Sequence, residues 1–448
     1  MNRKLIIPSL IVTCDSDRNL LTNHFIEIEN NKIISIQPFN NDFVERFKGE
    51  VVNCPGLTII PGFIQTHTHI CQTLFRGLAD ELQLLDWLQQ KIFPFENAHN
   101  RKSLKISAQL GINELLKGGT TTILDMGTHN YQEVIFEELI NSGMRAFAGK
   151  CMMDINDLFP SFKSSAKNEI KETRKLAEEF HNSSNGKIKY GFAPRFVLSC
   201  SDELLRETKE MMGDFKDSIY HTHSSENKEE VAEVRKQRKK ENIEYFKSID
   251  VLSDHTVLAH CIHLNDLEIN DLKSTGTRVS HCPSSNLKLA SGIADIPRYL
   301  KEGISVSLGA DGAPCNNNLS AFQEMRLAAL IQKPNYGAEV MDAETVFRLA
   351  TIEGARALHI DSEVGSIEAG KKADLVFLDL HKPYLPLLVD KNNVYSSIVY
   401  AASQSEVKNV MIDGEWIIRN REYNIYNDVE LVSTGNKELK ALLDRVNQ

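Results

Sequence analysis

At 448 residues, with 42% hydrophobic, 25% charged and 7% aromatic residues, the chain has an ordinary soluble-enzyme composition, long enough for one large barrel with additions or for two to three domains. Its formal net charge of −10 argues against the basic stripe of a nucleic-acid or anionic-membrane surface, and no segment approaches the roughly 18 uninterrupted apolar residues that span a bilayer. The 8 cysteines are scattered singly without a CxxC pair, which points to reduced thiols in a cytoplasmic protein.

The N-terminal stretch MNRKLIIPSLIV starts basic, but its apolar run is short, contains Pro8 and lacks a small-residue cleavage site, so it predicts a strand rather than a signal peptide. Strand-like runs over 3–13, 24–37 and 50–60, separated by turns rich in Asn and Asp, predict a small all-β unit over 1–60. From Gly62 to about His359 short apolar strands alternate with longer helical stretches. Strands are expected at Thr121–Leu124, Ala146–Ala148, Lys189–Phe192, Ile219–Thr222, Thr256–Ala259, Arg278–Ser280 and Ser305–Leu308, and helices at Leu104–Lys117 and Glu169–His181. That alternation over roughly 250–300 residues predicts an α/β fold, a (β/α)8 TIM-type barrel over 61–364. Strand signals return at Asp374–Leu378 and Val410–Trp416, so residues 365–448 are expected to complete a small β-sandwich built from both chain ends and to add a C-terminal tail. The charged stretch after Glu226, up to Lys240, reads as the solvated face of a barrel helix.

The first chemical signal is Gln65–Thr66–His67–Thr68–His69 at the end of an apolar run. Residues i and i+2 of a strand point the same way, so both imidazoles share one face and supply half of a divalent metal site. Alone the pair is weak, since exposed polar residues alternate in the same way. Three further strand ends strengthen it: His221–Thr222–His223–Ser224–Ser225–Glu226, Leu258–Ala259–His260 and Leu308–Gly309–Ala310–Asp311. The C-terminal ends of barrel strands converge on one mouth, where catalytic residues gather. A buried core histidine at His260 or a capped strand end at Asp311 is the bland alternative for each one taken singly.

Taken together, PGFIQTHTH, HTHSSE, LAHCIHL, SHCPSSNLKLASG, GADGAPCNNN and GSIEAGKKADLV make the chain similar to the amidohydrolase superfamily over nearly its whole length, in the branch of purine and triazine deaminases and chlorohydrolases. The resemblance implies metal ligands His67, His69, His223 and Asp311, with His260 near the attacking water. Nitrogen and carboxylate ligands suit Zn²⁺ or Fe²⁺, either of which lowers the pKa of a bound water. With no strand-end lysine to bridge a second ion, one divalent ion is expected, Zn²⁺ ahead of Fe²⁺. The implied reaction is attack of the activated water on the amidine carbon that carries the amino group. Asp311 takes the water's proton, Glu226 protonates the ring nitrogen and the departing amine, and His260 bonds the nucleophile. His221 supports from one step deeper in the barrel or is a buried structural residue, and His281 is a candidate pocket residue.

For the ring, Arg76–Asp80, Leu85–Leu88 and Phe93–Glu96, with GADGAPCNNN, resemble deaminases of S-adenosylhomocysteine, methylthioadenosine and 5′-deoxyadenosine, in which the residue matching Glu96 binds ribose hydroxyls. Arg195–Phe196, and Gln72 three residues after His69, resemble guanine deaminases instead. Arginine only donates while glutamine donates and accepts, so the pair suits an oxopurine edge yet also adenine nitrogens or a ribose oxygen. A structural ion pair is the alternative for Arg195. Trp87 and Phe196 are candidates for stacking on a flat ring. Lys150 stands where adenosine-type enzymes often have an arginine, and a lysine's lack of a bidentate fork favours a small 5′ group. The expectation is a deaminase of an adenosine-type nucleoside, followed by a guanine or pterin-like oxopurine deaminase, a triazine chlorohydrolase and a non-catalytic relative. A small-molecule substrate and a homo-oligomer, without nucleic acid or membrane, complete it.

Overall fold

The computed structural model describes residues 2–388, 391–423 and 425–447. Eight parallel strands form the barrel: β1 (Phe63–His69), β2 (Thr120–Asp125), β3 (Arg145–Ala148), β4 (Ile188–Pro194), β5 (Ile219–Ser224), β6 (Thr256–His260), β7 (Arg278–His281) and β8 (Val306–Leu308). Each pairs with the next in sequence. The continuation of β8, Asp311–Gly312, pairs back onto Thr68 and His69 and closes the ring. Parallel neighbours need crossover connections, and the helices between them supply these. Asn caps start several of them: Asn100 caps Arg101–Lys117 and Asn265 caps Asp266–Thr275. Within the barrel, Thr66 Oγ1 lies 2.8 Å from Ser280 Oγ and 2.7 Å from Ser307 Oγ, a layer of hydroxyls just below the histidines of β1.

The two chain ends share one mixed sheet of nine strands. Its seam is Glu50–Pro61, which runs parallel to Arg3–Val12 and antiparallel to Leu375–Asp379. Strand alternation divides this sheet between two cores. Ile6, Ile59, Leu375 and Phe377 point into a small core of the sheet's own, with Ile26, Ile28 and Met411. Leu10, Val12, Ile60, Val376 and Leu378 point the other way, into the core shared with the barrel. The joint between sheet and barrel is sealed by Arg145, at the start of β3, whose guanidinium donates to Asp374 at 3.0 and 3.2 Å.

The C-terminal tail ends in a helix, Asp428–Val446, that lies along Arg101–Lys117. Asn113 Nδ2 donates to Asp428 at 2.9 Å, and Arg445 Nε donates to the Ala98 carbonyl at 2.7 Å. Among the described residues no helix is long and apolar enough to cross a membrane. All eight cysteines are buried and unpaired.

Candidate active site

β1 delivers His67 and His69 to the C-terminal mouth, both fully enclosed. One ligand-capable atom from each of His67, His69, His223 and Asp311 lies within 4.8 Å of the others. β8 approaches β1 closely enough for this because position 309 is glycine: a Cβ there would stand 2.8–2.9 Å from the His67 backbone and Cβ. Asp311 itself is left-handed, at φ 62°, and its carboxylate is fixed by the Ser285 hydroxyl at 2.6 Å and the Gly312 N–H at 2.8 Å. Such strain persists where the surroundings impose it, as they do at functional sites.

The hydrogen bonds set the tautomers. His223 Nδ1 donates to the Arg195 carbonyl at 2.7 Å, which leaves its Nε2 with a lone pair. That lone pair faces His69 Nε2 at 3.2 Å. His67 Nδ1 lies 2.7 Å from His221 Nε2, while its own Nε2 has no hydrogen-bond partner and points at Asp311 Oδ1, 3.3 Å away. Burial holds His67, His69 and His223 below their ordinary value, His69 and His223 well below it, so all three are neutral. Burial would raise Asp311, but the imidazoles of His67, His260 and His69 hold it well below the usual carboxylate range. Three neutral imidazoles turning lone pairs toward one ionised carboxylate, with His67 Nε2 orphaned, fit a single divalent cation of the Zn²⁺ or Fe²⁺ type.

Beside this cluster His260, left-handed at φ 73°, donates through Nδ1 to Asn286 Oδ1 at 2.8 Å. Its Nε2 then faces Glu226 Oε2 at 3.5 Å and Asp311 Oδ2 at 3.9 Å. Burial pulls His260 down, but Glu226 and Asp311 outweigh it and its pKa is raised. Burial pushes Glu226 up to about 7 against the pull of His260, with Asp311 adding to the push. The Glu226 backbone N–H donates to Glu230 at 3.1 Å, which locks the turn after β5.

His69, Gln72, Leu84, Trp87, Leu88, Arg195, Phe196, His223, Glu226, Leu289 and Asp311 enclose a cavity of about 30 Å³. Pockets for drug-sized ligands measure about 300–1,000 Å³, so the cavity as it stands is narrower than such pockets. Phe196 also lines a neighbouring cavity of about 340 Å³. Glu96 stands behind this wall rather than on it. Arg195 donates to it at 2.9 and 3.4 Å and Gln72 Nε2 at 2.7 Å, leaving Gln72 Oε1 and Trp87 Nε1 without partners.

Ten sequence-predicted residues therefore meet at one mouth, and Glu96 joins them through Arg195 and Gln72. Lys150 does not: its ammonium lies 3.5 Å from Glu169 and 3.2 Å from Glu172, in a different cavity beside His129. His281 is buried without a partner on either ring nitrogen and is absent from the cavity wall. Sequence reasoning missed Ser285, Asn286 and Glu230. The first two lie inside the SHCPSSNLKLASG motif, which was signal enough to single them out.

The amidohydrolase family pattern matches residues 58–417. The chain is 38% identical to a 5′-deoxyadenosine deaminase of Methanothermobacter thermautotrophicus, covering 92% of this chain and 94% of that one. It is 34% identical to a 5-methylthioadenosine/S-adenosylhomocysteine deaminase of Thermoanaerobacter pseudethanolicus, over 98% and 99% of the two. Among solved structures it superposes on an adenosine deaminase from Xanthomonas campestris with bound zinc, at a TM-score of 0.90 and 30% identity, covering 99% and 98%. The pattern starts in the seam strand of the mixed sheet, runs through the whole barrel and returns to that sheet, so no part of the mouth lies outside it: the chain belongs to the amidohydrolase family.

Proposed function

We propose that this protein is a metal-dependent hydrolytic deaminase that removes the amino group from a purine-type ring and releases ammonia. The proposed substrate is an adenosine-type nucleoside with 5′-deoxyadenosine, methylthioadenosine or S-adenosylhomocysteine character. The observation that carries the reading is a pair of carboxyls with opposite proton affinities in one cleft: Asp311 is held low, while Glu226 is pushed up to about 7. Environments that drive two acids apart assign base and acid.

His67, His69, His223 and Asp311 would hold one Zn²⁺ or Fe²⁺ ion, which when bound supplies Lewis-acid activation of a water molecule. Asp311, ionised, accepts the proton of the attacking water. His260, with its Nδ1 on Asn286, presents Nε2 to that water's oxygen. Glu226, protonated near neutrality, gives its proton to the ring nitrogen beside the amino-bearing carbon, then takes the proton of the added hydroxyl as the carbonyl forms and passes it to the departing amine, which leaves as ammonia; the proton held by Asp311 restores Glu226. Trp87 and Phe196 flank the ring, Arg195 and Gln72 meet its edge, and Glu96 acts on the sugar side by fixing the Gln72 amide so that Oε1 accepts a hydroxyl.

The 5′-deoxyadenosine deaminase relatives support this substrate. Arg195–Phe196 in the cavity wall supports a second reading, a guanine or oxopurine deaminase. The reading also includes a homo-oligomer acting on a small molecule in the cytoplasm.

A substrate panel followed by ammonia release separates the readings. Nucleosides should exceed free adenine in kcat/KM by roughly 2- to 13-fold, the worth of a hydrogen bond to the neutral Gln72 amide of about 0.5–1.5 kcal/mol. Preference for guanine over every 6-aminopurine nucleoside overturns the substrate and keeps the chemistry. Turnover of a chlorotriazine with no purine activity moves the enzyme to the chlorohydrolases, and no turnover at all makes it a non-catalytic relative.

A further inference from the structure

We propose that Glu324, an acid that does not line the catalytic cavity, is a positioning residue that holds Asp311 and His260 in their working geometry. That role presupposes the proposed part of Asp311 and His260 in activating water. Glu324 stands in the first turn of the helix Ala321–Ile331 and is buried, with 1% of its surface exposed. Its carboxyl accepts the Ser284 N–H at 3.2 Å, the Ser284 hydroxyl at 2.5 Å and Asn316 Nδ2 at 2.8 Å. Ser284 and Asn316, rather than a cation, offset the cost of burying it.

The two partners belong to the segments that follow β7 and β8. Ser284 opens the short helix Pro283–Lys288 beside Ser285, whose hydroxyl donates to Asp311, and Asn286, which accepts from His260 Nδ1. Asn316 Nδ2 donates as well to the Ala310 carbonyl at 2.8 Å, and the Ala310 N–H donates to Gln65 Oε1 at 3.0 Å. The backbone entering Asp311 is thus gripped from two sides. One carboxyl clamps the turn that orients both groups onto the strand end that carries one of them.

The backbone supplies an independent observation. Asp311 at φ 62° and His260 at φ 73° are both left-handed without being glycine. Such residues persist only where their surroundings over-determine them. The Glu324 clamp restrains the neighbours of both. Outer partners of this kind typically matter 10- to 100-fold for metal affinity or activity.

The test compares the holoenzyme with Glu324→Gln and Ser284→Ala. Glutamine keeps the shape, but all three partners of Glu324 donate, so its amide nitrogen must meet a donor. Turnover of 5′-deoxyadenosine is measured at saturating ZnCl₂ per folded molecule, and zinc affinity by competition with a chelator. In Glu324→Gln, kcat should fall roughly 10- to 100-fold at full zinc occupancy, and zinc should bind more weakly by a similar factor. KM should hold, because Gln72, Trp87, Arg195 and Phe196 keep the ring. Ser284→Ala should shift both in the same direction by less, and should add little to Glu324→Gln, since both break one clamp. If Glu324→Gln does not fold, Ser284→Ala carries the test alone. An unchanged kcat per folded molecule makes Glu324 a purely structural acid and overturns the proposal, as does a KM that rises while kcat holds. A parent that leaves 5′-deoxyadenosine untouched overturns the proposed substrate instead, and zinc affinity alone then decides: equal affinity in parent and variants overturns the clamp.

Discussion

Arg145 donates to Asp374 through two nitrogens, and the same carboxylate accepts the Asp413 backbone N–H at 2.7 Å. At the other end of the barrel His67 Nε2, His69 Nδ1, Gln72 Oε1, Trp87 Nε1, Glu226 Oε1 and His260 Nε2 are equally buried and have no partner. A buried polar group left unsatisfied costs about 1–3 kcal/mol, and a fold tolerates several together only where something else will satisfy them. The contrast supports the proposal that the mouth is a cradle for ligands while the joint is a structural charge cluster, although burial is alike in both. Sites where local rules are broken in concert are expected to be functional.

Removing the metal tests the mouth most severely. Chelation should abolish deamination and lower Tm, and both should return on adding Zn²⁺ or Fe²⁺. An ion present at a hundred times its Kd stabilises the fold by about 2.7 kcal/mol. Metal-free protein with full activity and unchanged Tm would show that the orphaned nitrogens are no cradle at all.

Glu226→Gln comes next. It should lower kcat by roughly 10²–10⁴-fold while bound metal and fold stay as they are, since the amide keeps the shape and loses the proton. Elemental analysis beside steady-state kinetics checks it, and loss of the ion would make Glu226 a ligand. Arg145→Ala should behave in the opposite way. It strands Asp374 as a buried unpaired carboxylate, at a cost of about 3–5 kcal/mol, with kcat/KM per folded molecule unchanged. A fall in kcat/KM at full occupancy of the folded state would mean that the joint positions the mouth and that the contrast is false.

The mouth was the more legible of the two regions. A period of two puts His67 and His69 on one face whatever the partner strands do, and strand ends of a barrel converge by topology, so His223, His260 and Asp311 followed. Closure of the barrel and the sharing of a sheet by both chain ends were legible for the same reason, through runs of alternating or apolar residues. Contacts made through space carried no such periodic mark. The Arg195–Glu96–Gln72 triad joins residues far apart in sequence, and nothing in the local pattern says that Glu96 retreats behind the other two. Lys150 turns to Glu169 and Glu172 because acids of the helix Ala166–Phe180 lie there, which strand position alone does not reveal. The tail helix Asp428–Val446 owes its stability to docking on its neighbour, and isolated propensity is a weak guide to such a helix.

Glu169 lies between the two regimes and gives the smallest but sharpest effect. It is fully buried with no hydrogen bond to either carboxylate oxygen, yet it has a charge partner, the Lys150 ammonium 3.5 Å away. Burial raises it to about 7 against the pull of Lys150. The sign follows from that shift. The folded pKa stands above the ordinary value of 4.5, so at intermediate pH the folded chain holds a proton that the unfolded chain has released. The stability this contributes is complete below about pH 4.5 and is lost as the pH rises toward 7. One such group gives a slope of at most about 1.4 kcal/mol per pH unit. Glu169→Gln keeps the neutral shape and should remove that slope, so parent and variant should diverge between pH 5 and 7, with the variant the more stable at pH 8. Denaturant unfolding at pH 5, 6, 7 and 8 measures it. Parallel stability profiles would mean that Glu169 is ionised in both states, and the Lys150–Glu169 pair would then belong with Arg145 and Asp374 rather than with the mouth.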